Sequence, residues 1–170
     1  EKLKAHGIVD SVHRWVANWL TDRKQRVVLN GQCSDWGSVS SGVPQGSVYG
    51  PLAFVLYIDD IDDTAGQVSL LNKFADDTKL GQSLSTDTAV DELQTSLDNL
   101  CDWAARWEME FNVGKCKVLH IGRNNPRNGY SMEGQQLKVV EEEKDIGVYV
   151  TNNLKPSRQC MEAAHKANAV

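Results

Sequence analysis

No apolar run in these 170 residues approaches the ~20 that carry a helix across a bilayer, so no transmembrane helix and no membrane partner are predicted. Four prolines and thirteen glycines are too few for a collagen-like or low-complexity chain, and 41% hydrophobic content is too high for a disordered one. The start, Glu1-Lys2-Leu3-Lys4, has neither an initiator Met nor a signal-type apolar segment behind it, which predicts a chain that begins within a longer product. The four cysteines (Cys33, Cys101, Cys116 and Cys160) include no CxxC pair and no nearby His, so the short ligand spacings of a zinc site are missing. They read as reduced thiols of an intracellular protein, nuclear or cytoplasmic. His6, His13, His120 and His165 are scattered and read as packing or surface residues. What remains is enough apolar material for one domain burying roughly 70% of its extended surface.

A basic excess is also missing. The net charge of −5 argues against a nucleic-acid binder when taken over the whole chain. Its distribution says something different. Residues 1–30 carry six bases and three acids, and residues 31–58 a single charge, Asp35. Residues 59–110 hold thirteen acids against three bases, whereas residues 111–170 hold nine bases against six acids. An acidic centre with basic flanks suits carboxylates that hold a metal beside a polyanion path; an acidic helix surface would produce part of the same pattern.

Periodicity supplies the elements. Ile8, Val12, Trp15, Val16, Trp19 and Leu20 share one helical face. The β-branched stretch Arg26–Leu29, the Asn30-Gly31 turn and a strand at Trp36–Ser40 read as a hairpin. Residues 41–47 read as a loop, and Leu52–Ile61 as a mostly buried helix with Pro51 in its first turn. Val68–Leu71 and Thr78–Leu80 flank a tight turn at Phe74-Ala75-Asp76-Asp77. A second amphipathic helix spans Thr88–Trp107, with a capping pattern at Thr88, Asp91 and Glu92. Strands are predicted at Lys117–Ile121, Leu137–Val140 and Ile146–Val150, with a helix starting at Ser157. Recurring hairpins predict an α+β fold: an antiparallel sheet with helices packed on one face.

Three aspartate pairs stand out: Asp59-Asp60, Asp62-Asp63 and Asp76-Asp77. Neighbouring carboxylates repel, so a pair held at a packed turn suits a hard cation that offsets the repulsion. Magnesium takes one or two carboxylates plus substrate phosphates, so the Asp76-Asp77 turn offers half of a two-metal phosphoryl-transfer site. The Asp59–Asp63 run matches a DDxxD pattern for diphosphate-bound magnesium, but that chemistry belongs to large all-helical bundles. A solvated helix end explains the run better.

Ser41-Gly42-Val43-Pro44-Gln45-Gly46-Ser47-Val48-Tyr49-Gly50-Pro51-Leu52, followed by Phe74-Ala75-Asp76-Asp77-Thr78-Lys79-Leu80-Gly81, resembles the reverse transcriptase domain of non-LTR, jockey-like retrotransposons. In that family a GVPQGSxxGPxLF segment precedes an [FY]ADD turn. The resemblance continues through Trp103, Phe111–Lys117 (an FNxxKCK segment) and Lys144–Val150 (a DLGV strand), and reaches the tail at Gln159–Asn168. Tyr49 stands where the family usually has Leu, and Asp59-Asp60 where it has Asn-Asp.

The resemblance implies a polymerase palm and RNA-templated DNA synthesis with Mg²⁺, or Mn²⁺ in its place. The implied partners are an RNA template, a DNA primer and a dNTP. Asp76 is an implied catalytic metal ligand, and Asp77 its turn partner, either ligating or supporting. Gln45, Gly46, Phe74 and Ala75 are implied template and nucleotide contacts. Lys115 is implied near the triphosphate, and Ile146, Gly147 and Val148 in a primer grip. It further implies that residues 1–150 are a partial palm lacking the fingers and the strand with the first catalytic Asp, and that residues 151–170 begin the thumb. The expectation is a fragment inactive alone, with weak, salt-sensitive nucleic-acid binding through Arg23, Lys24, Arg26 and the basic final third. A decayed or domesticated binding fragment without catalysis is the alternative.

Overall fold

The computed structural model describes residues 1–66 and 68–168. Their contacts form two compact units, residues 1–60 with 74–77, and residues 61–73 with 78–170. In the first unit a short helix, α1 (Lys2–Ala5), precedes α2 (Asp10–Leu20), whose apolar stripe places Val16 at 1% exposure. The chain then forms a two-stage ribbon from β1 (Lys24–Gln25), β2 (Val28–Leu29), β3 (Gln32–Cys33) and β4 (Gly37–Ser38). Asn30 and Gly31 turn it at φ 50° and 79°, the signs of a type I′ turn, which sets Leu29 opposite Gln32. The expected hairpin is therefore corrected: a two-residue turn pairs β2 with its immediate neighbour, and Gly37–Ser38 closes instead on β1.

Helix α3 (Tyr49–Ile58) carries Pro51 in its first turn, as expected, but ends at Ile58. It is not mostly buried. Only Gly50 and Ile58 of its residues are buried, while Leu52 and Val55 are more than half exposed. The segment is apolar on every side, and the contacts it makes include α1 and the indoles of α2. Tyr49, the residue that departs from the family's Leu, lies edge-on to Trp15 and Trp19, with ring centroids 5.8 and 5.4 Å away.

The second unit opens with α4 (Ile61–Thr64). The strands β5 (Leu70–Phe74) and β6 (Asp77–Gly81) form a hairpin whose tip groups with the first unit. Helix α5 (Ala89–Arg106) buries Leu100, Trp103 and Ala104. Its Leu93 and Leu97 meet a cluster of Val113, Tyr130, Met132 and Leu137. At its start the Thr88 hydroxyl donates to the Glu92 carboxylate at 2.6 Å and accepts from no backbone N–H among the described residues, so the pattern forms a side-chain pair and not a backbone cap. The remaining elements are β7 (Lys117–Leu119), β8 (Ser131–Met132), β9 (Gln135–Gln136), β10 (Lys138–Val140), β11 (Glu142–Asp145), β12 (Val148–Thr151) and α6 (Ser157–Asn168). The Gln94 amide both donates to and accepts from the Ser131 backbone, at 2.9 and 3.0 Å, so α5 pairs with β8 much as a strand would.

The fold is a mixture of helices and small sheets. The continuous antiparallel sheet expected from the hairpins is not formed among the described residues: strands pair two at a time, and β7 pairs with β10 in parallel. The chain between those two strands reverses twice, once before β8 and once in the β8–β9 hairpin, and so returns in its original direction. Helix α6 is tied to the β11–β12 hairpin by Arg158, whose Nε donates to Glu142 at 2.9 Å and whose guanidinium lies 4.2 Å from the Tyr149 ring. No described helix is long and apolar enough to cross a membrane.

Candidate active site

Ala75 and Asp76 form the two-residue turn between β5 and β6. Ala75 has φ 53°, a left-handed conformation that costs an L-residue roughly 1–2 kcal/mol. A left-handed residue in the first turn position follows the right-handed twist of the strands. It leaves Asp76 in the turn and Asp77 on the first position of β6, with both carboxylates exposed. Among the described residues neither has a hydrogen-bond or ion-pair partner. Phe74, just before them, is 61% exposed.

This donor set fits magnesium of one kind. Two hard oxygen donors suit an ion whose remaining ligands are phosphate oxygens and water, and an all-protein cage would need more. No group of three or more His, Cys, Asp or Glu side chains among the described residues is arranged to share a metal. Three of the four aspartates in the Asp59–Asp63 run face a basic side chain. Lys2 Nζ lies 2.5 Å from Asp60, His6 Nε2 is 3.7 Å from Asp59, and Lys73 Nζ is 3.0 Å from Asp62. A carboxylate already facing a cation is a poorer metal donor, so these contacts argue against a DDxxD diphosphate site.

The loop of residues 41–47 is braced at both ends. Gly42 and Gly46 take φ 75° and 78°, which a side chain rarely tolerates. The Ser47 hydroxyl donates to Pro44 O at 2.7 Å and accepts from the Gly50 N–H at 2.9 Å. A Cβ on Gly50 would sit 2.6 Å from Pro44 O, so only glycine lets the helix start this close beneath the loop. At the other end the Arg23 guanidinium donates to Ser41 O and Gly42 O. Gln45 and Gly46 lie exposed between the two braces.

Lys115 is exposed, and its ammonium has no acidic partner among the described residues, whereas Lys117 pairs with Glu143 at 2.8 Å. Ile146 and Gly147 join β11 to β12 with φ 45° and 85°. A β-branched residue at positive φ is strained, and Ile146 is also 65% exposed. The Lys79 ammonium pairs with Asp145, which ties the strand leaving the Asp76-Asp77 turn to the strand entering the Ile146-Gly147 turn. Burial pushes the Cys101 and Cys116 thiols and the Tyr130 phenol above their ordinary ranges.

Phe74, Ala75, Asp76 and Asp77 thus fall in the first unit together with Gln45 and Gly46. Lys115, Ile146, Gly147 and Val148 fall in the second. The sequence reading missed two bracing residues. Ser47 carries no spacing signal, and Arg23 stands in a basic run that looks the same whether it meets phosphates or carbonyls.

Residues 1–157 match the family described as reverse transcriptase (RNA-dependent DNA polymerase). The chain is 30% identical over 151 residues to the RNA-directed DNA polymerase from mobile element jockey of Drosophila melanogaster, covering 84% of this chain and 16% of that protein. The jockey polymerase of Drosophila funebris is 31% identical over 159 residues, with 88% and 17% covered. A probable RNA-directed DNA polymerase from transposon X-element of Drosophila melanogaster is 34% identical over 102 residues, with 58% and 11% covered. The chain spans about one sixth of the length of the jockey polymerases it matches. No solved structure matches it significantly.

Proposed function

The chain belongs to the reverse transcriptase (RNA-dependent DNA polymerase) family, and from that premise we propose that it is part of the palm of a non-LTR retrotransposon polymerase. The reaction is attack of a primer 3′-hydroxyl on a deoxynucleoside triphosphate opposite an RNA template. The reading is carried by the Asp76-Asp77 turn, two open carboxylates fixed on a hairpin in the motif setting that the resemblance implies. Asp76 and Asp77 would hold Mg²⁺. The chemistry such an ion would supply at these two carboxylates is charge neutralisation on the triphosphate and a lower pKa for the primer hydroxyl.

The other residues bind and orient. The Gln45-Gly46 tip presents backbone and a small residue to the template–nucleotide pair, and Phe74 and Ala75 line the same contact. Lys115, with its ammonium uncommitted, neutralises the leaving pyrophosphate. The Ile146-Gly147-Val148 turn holds the primer end with exposed apolar surface. Residues 151–170 begin the thumb, and a two-metal site takes more carboxylates than the Asp76-Asp77 turn supplies. On this reading the chain alone binds template–primer without extending it.

The test is primer extension by a longer polymerase chain that contains this segment, on poly(rA)–oligo(dT) with Mg²⁺ and dTTP. Asp76→Asn is expected to lower the rate roughly a thousandfold, about 4 kcal/mol of transition-state stabilisation. A rate within a few-fold of the unsubstituted enzyme would remove the metal-binding role.

A further inference from the structure

Arg23 links three places in the first unit. Its Nε donates to Leu20 O at 3.2 Å, at the end of α2. Its Nη2 donates to Ser41 O at 3.3 Å and to Gly42 O. Its own carbonyl accepts from the Val39 N–H at 2.9 Å. Main chain and side chain therefore grip the same segment, residues 39–42, from the C-terminal end of one helix. A planar guanidinium holds five donors in one rigid fork, whereas an ammonium on a flexible stem has three that rotate and fix less geometry.

The segment gripped is the one that needs it. Gly42 and Gly46 are both at positive φ, and a loop with two such residues has many alternative conformations in the absence of restraint. The Ser47 hydroxyl and Gly50 fix the far end against α3. Arg23 fixes the near end. Between them Gln45 and Gly46 stand exposed, with a defined path on either side.

We propose that Arg23 is a positioning residue: it spends its guanidinium on loop carbonyls and so holds Gln45 and Gly46 in the geometry that receives template–primer. The proposal replaces the expectation that Arg23 serves chiefly as a phosphate contact, since three of its five donors, on Nε and Nη2, face Leu20, Ser41 and Gly42. It rests on the reading of the 41–47 loop as a template–nucleotide contact, and the experiment separates the two.

Arg23→Lys keeps the charge and loses the fork; Gln45→Ala tests the loop itself. A fluorescent RNA–DNA template–primer is titrated with the 170-residue chain and both variants at several salt concentrations, and backbone amide exchange is followed by NMR. If Arg23 positions the loop, Arg23→Lys weakens affinity roughly tenfold, the worth of one charge-assisted hydrogen bond. The salt slope stays unchanged and the Gln45 and Gly46 amides exchange faster, while the amides of α5 keep their protection. A third variant, Arg23→Gln, removes the charge: a salt slope smaller by about one unit in it makes Arg23 a phosphate contact and overturns the inference. Unchanged affinity in Arg23→Lys, with a loss in Gln45→Ala, overturns it and leaves the loop reading intact. Unchanged affinity in Gln45→Ala overturns the loop reading and the inference with it.

Discussion

The Lys2 ammonium, nine-tenths buried, sits 2.5 Å from the Asp60 carboxylate and 2.6 Å from the Tyr57 carbonyl at the end of α3. Asp60 is thereby a structural anion, whereas Asp76 and Asp77 are open. Two aspartate pairs that look alike in sequence are separated by what faces them. Titration with Mn²⁺ is expected to broaden the amides of Phe74–Thr78 first, with weak affinity, because the turn offers only two carboxylates. Lys2→Met releases Asp60 and brings residues 59 and 60 into the titration. Earlier broadening of residues 59–63 in the unsubstituted chain would reverse the assignment.

Tyr49 carries a hydroxyl that is buried with no hydrogen-bond partner among the described residues, although its ring is well placed against Trp15 and Trp19. A buried orphan hydroxyl costs more than its replacement by hydrogen. Tyr49→Phe is expected to raise unfolding stability by about 1 kcal/mol. Tyr49→Leu, which restores the residue usual in the family, gives up both edge contacts and is expected to lower stability by about 1–2 kcal/mol. Urea unfolding of the three proteins checks the order; a more stable Leu variant would contradict it.

Cys101 and Cys116 pack on the cluster around Tyr130, and burial raises all three above their ordinary values of 9.0 for the thiols and 10.0 for the phenol. The folded state thus holds these protons more tightly than the unfolded chain. That contribution to stability is fully present below pH 9 and is lost as pH rises through the raised values. Urea midpoints are expected to fall between pH 8 and pH 10.5, and to fall less in a Cys101→Ala, Cys116→Ala protein. Identical pH profiles for the two proteins would exclude the thiols as the cause.

Local signals were legible in the sequence, and distant ones were not. Helix α5, the Asn30-Gly31 turn and the β5–β6 hairpin are written in spacing and turn chemistry within a few residues. The parallel pairing of β7 with β10 depends on two chain reversals that no window of sequence contains. Exposure of Leu52 and Val55 was hidden for a similar reason: an apolar residue states what it prefers to bury against, and not what arrives. Asp76 and Asp77 were found because motif and turn coincide. The basic run at Arg23–Arg26 was read as one surface, yet Arg23 meets carbonyls and Arg26 stacks 4.7 Å from the Trp36 ring.

Ile146 holds positive φ in an exposed turn, a conformation that costs a β-branched residue roughly 1–3 kcal/mol. If its apolar surface serves the primer, stability and binding should move in opposite directions. Ile146→Asn is expected to raise the urea midpoint, because Asn accepts positive φ readily, and to weaken template–primer affinity severalfold. A variant that gains stability and keeps full affinity would remove Ile146 from the primer contact.

The 170-residue chain alone is expected to show no primer extension on poly(rA)–oligo(dT) with Mg²⁺ and dTTP, although nearly all of it matches a polymerase family. In-line transfer needs both the attacking hydroxyl and the leaving phosphate fixed by metal, and two-metal sites draw carboxylates from more than one strand. Here Asp76 and Asp77 come from one turn, and no third metal-binding side chain joins them among the described residues. Binding without extension is expected, and it should be weak. Lys79, Lys117, Arg127 and Arg158 are already paired with Asp145, Glu143, Glu141 and Glu142, so fewer cations release phosphate counterions than composition suggests. The binding isotherm should therefore show a shallow salt dependence while the extension gel stays blank. Robust extension by this chain, abolished by Asp76→Ala, would overturn the expectation and point to Asp59 or Asp60 as the missing donor, released from His6 or Lys2 once substrate is bound.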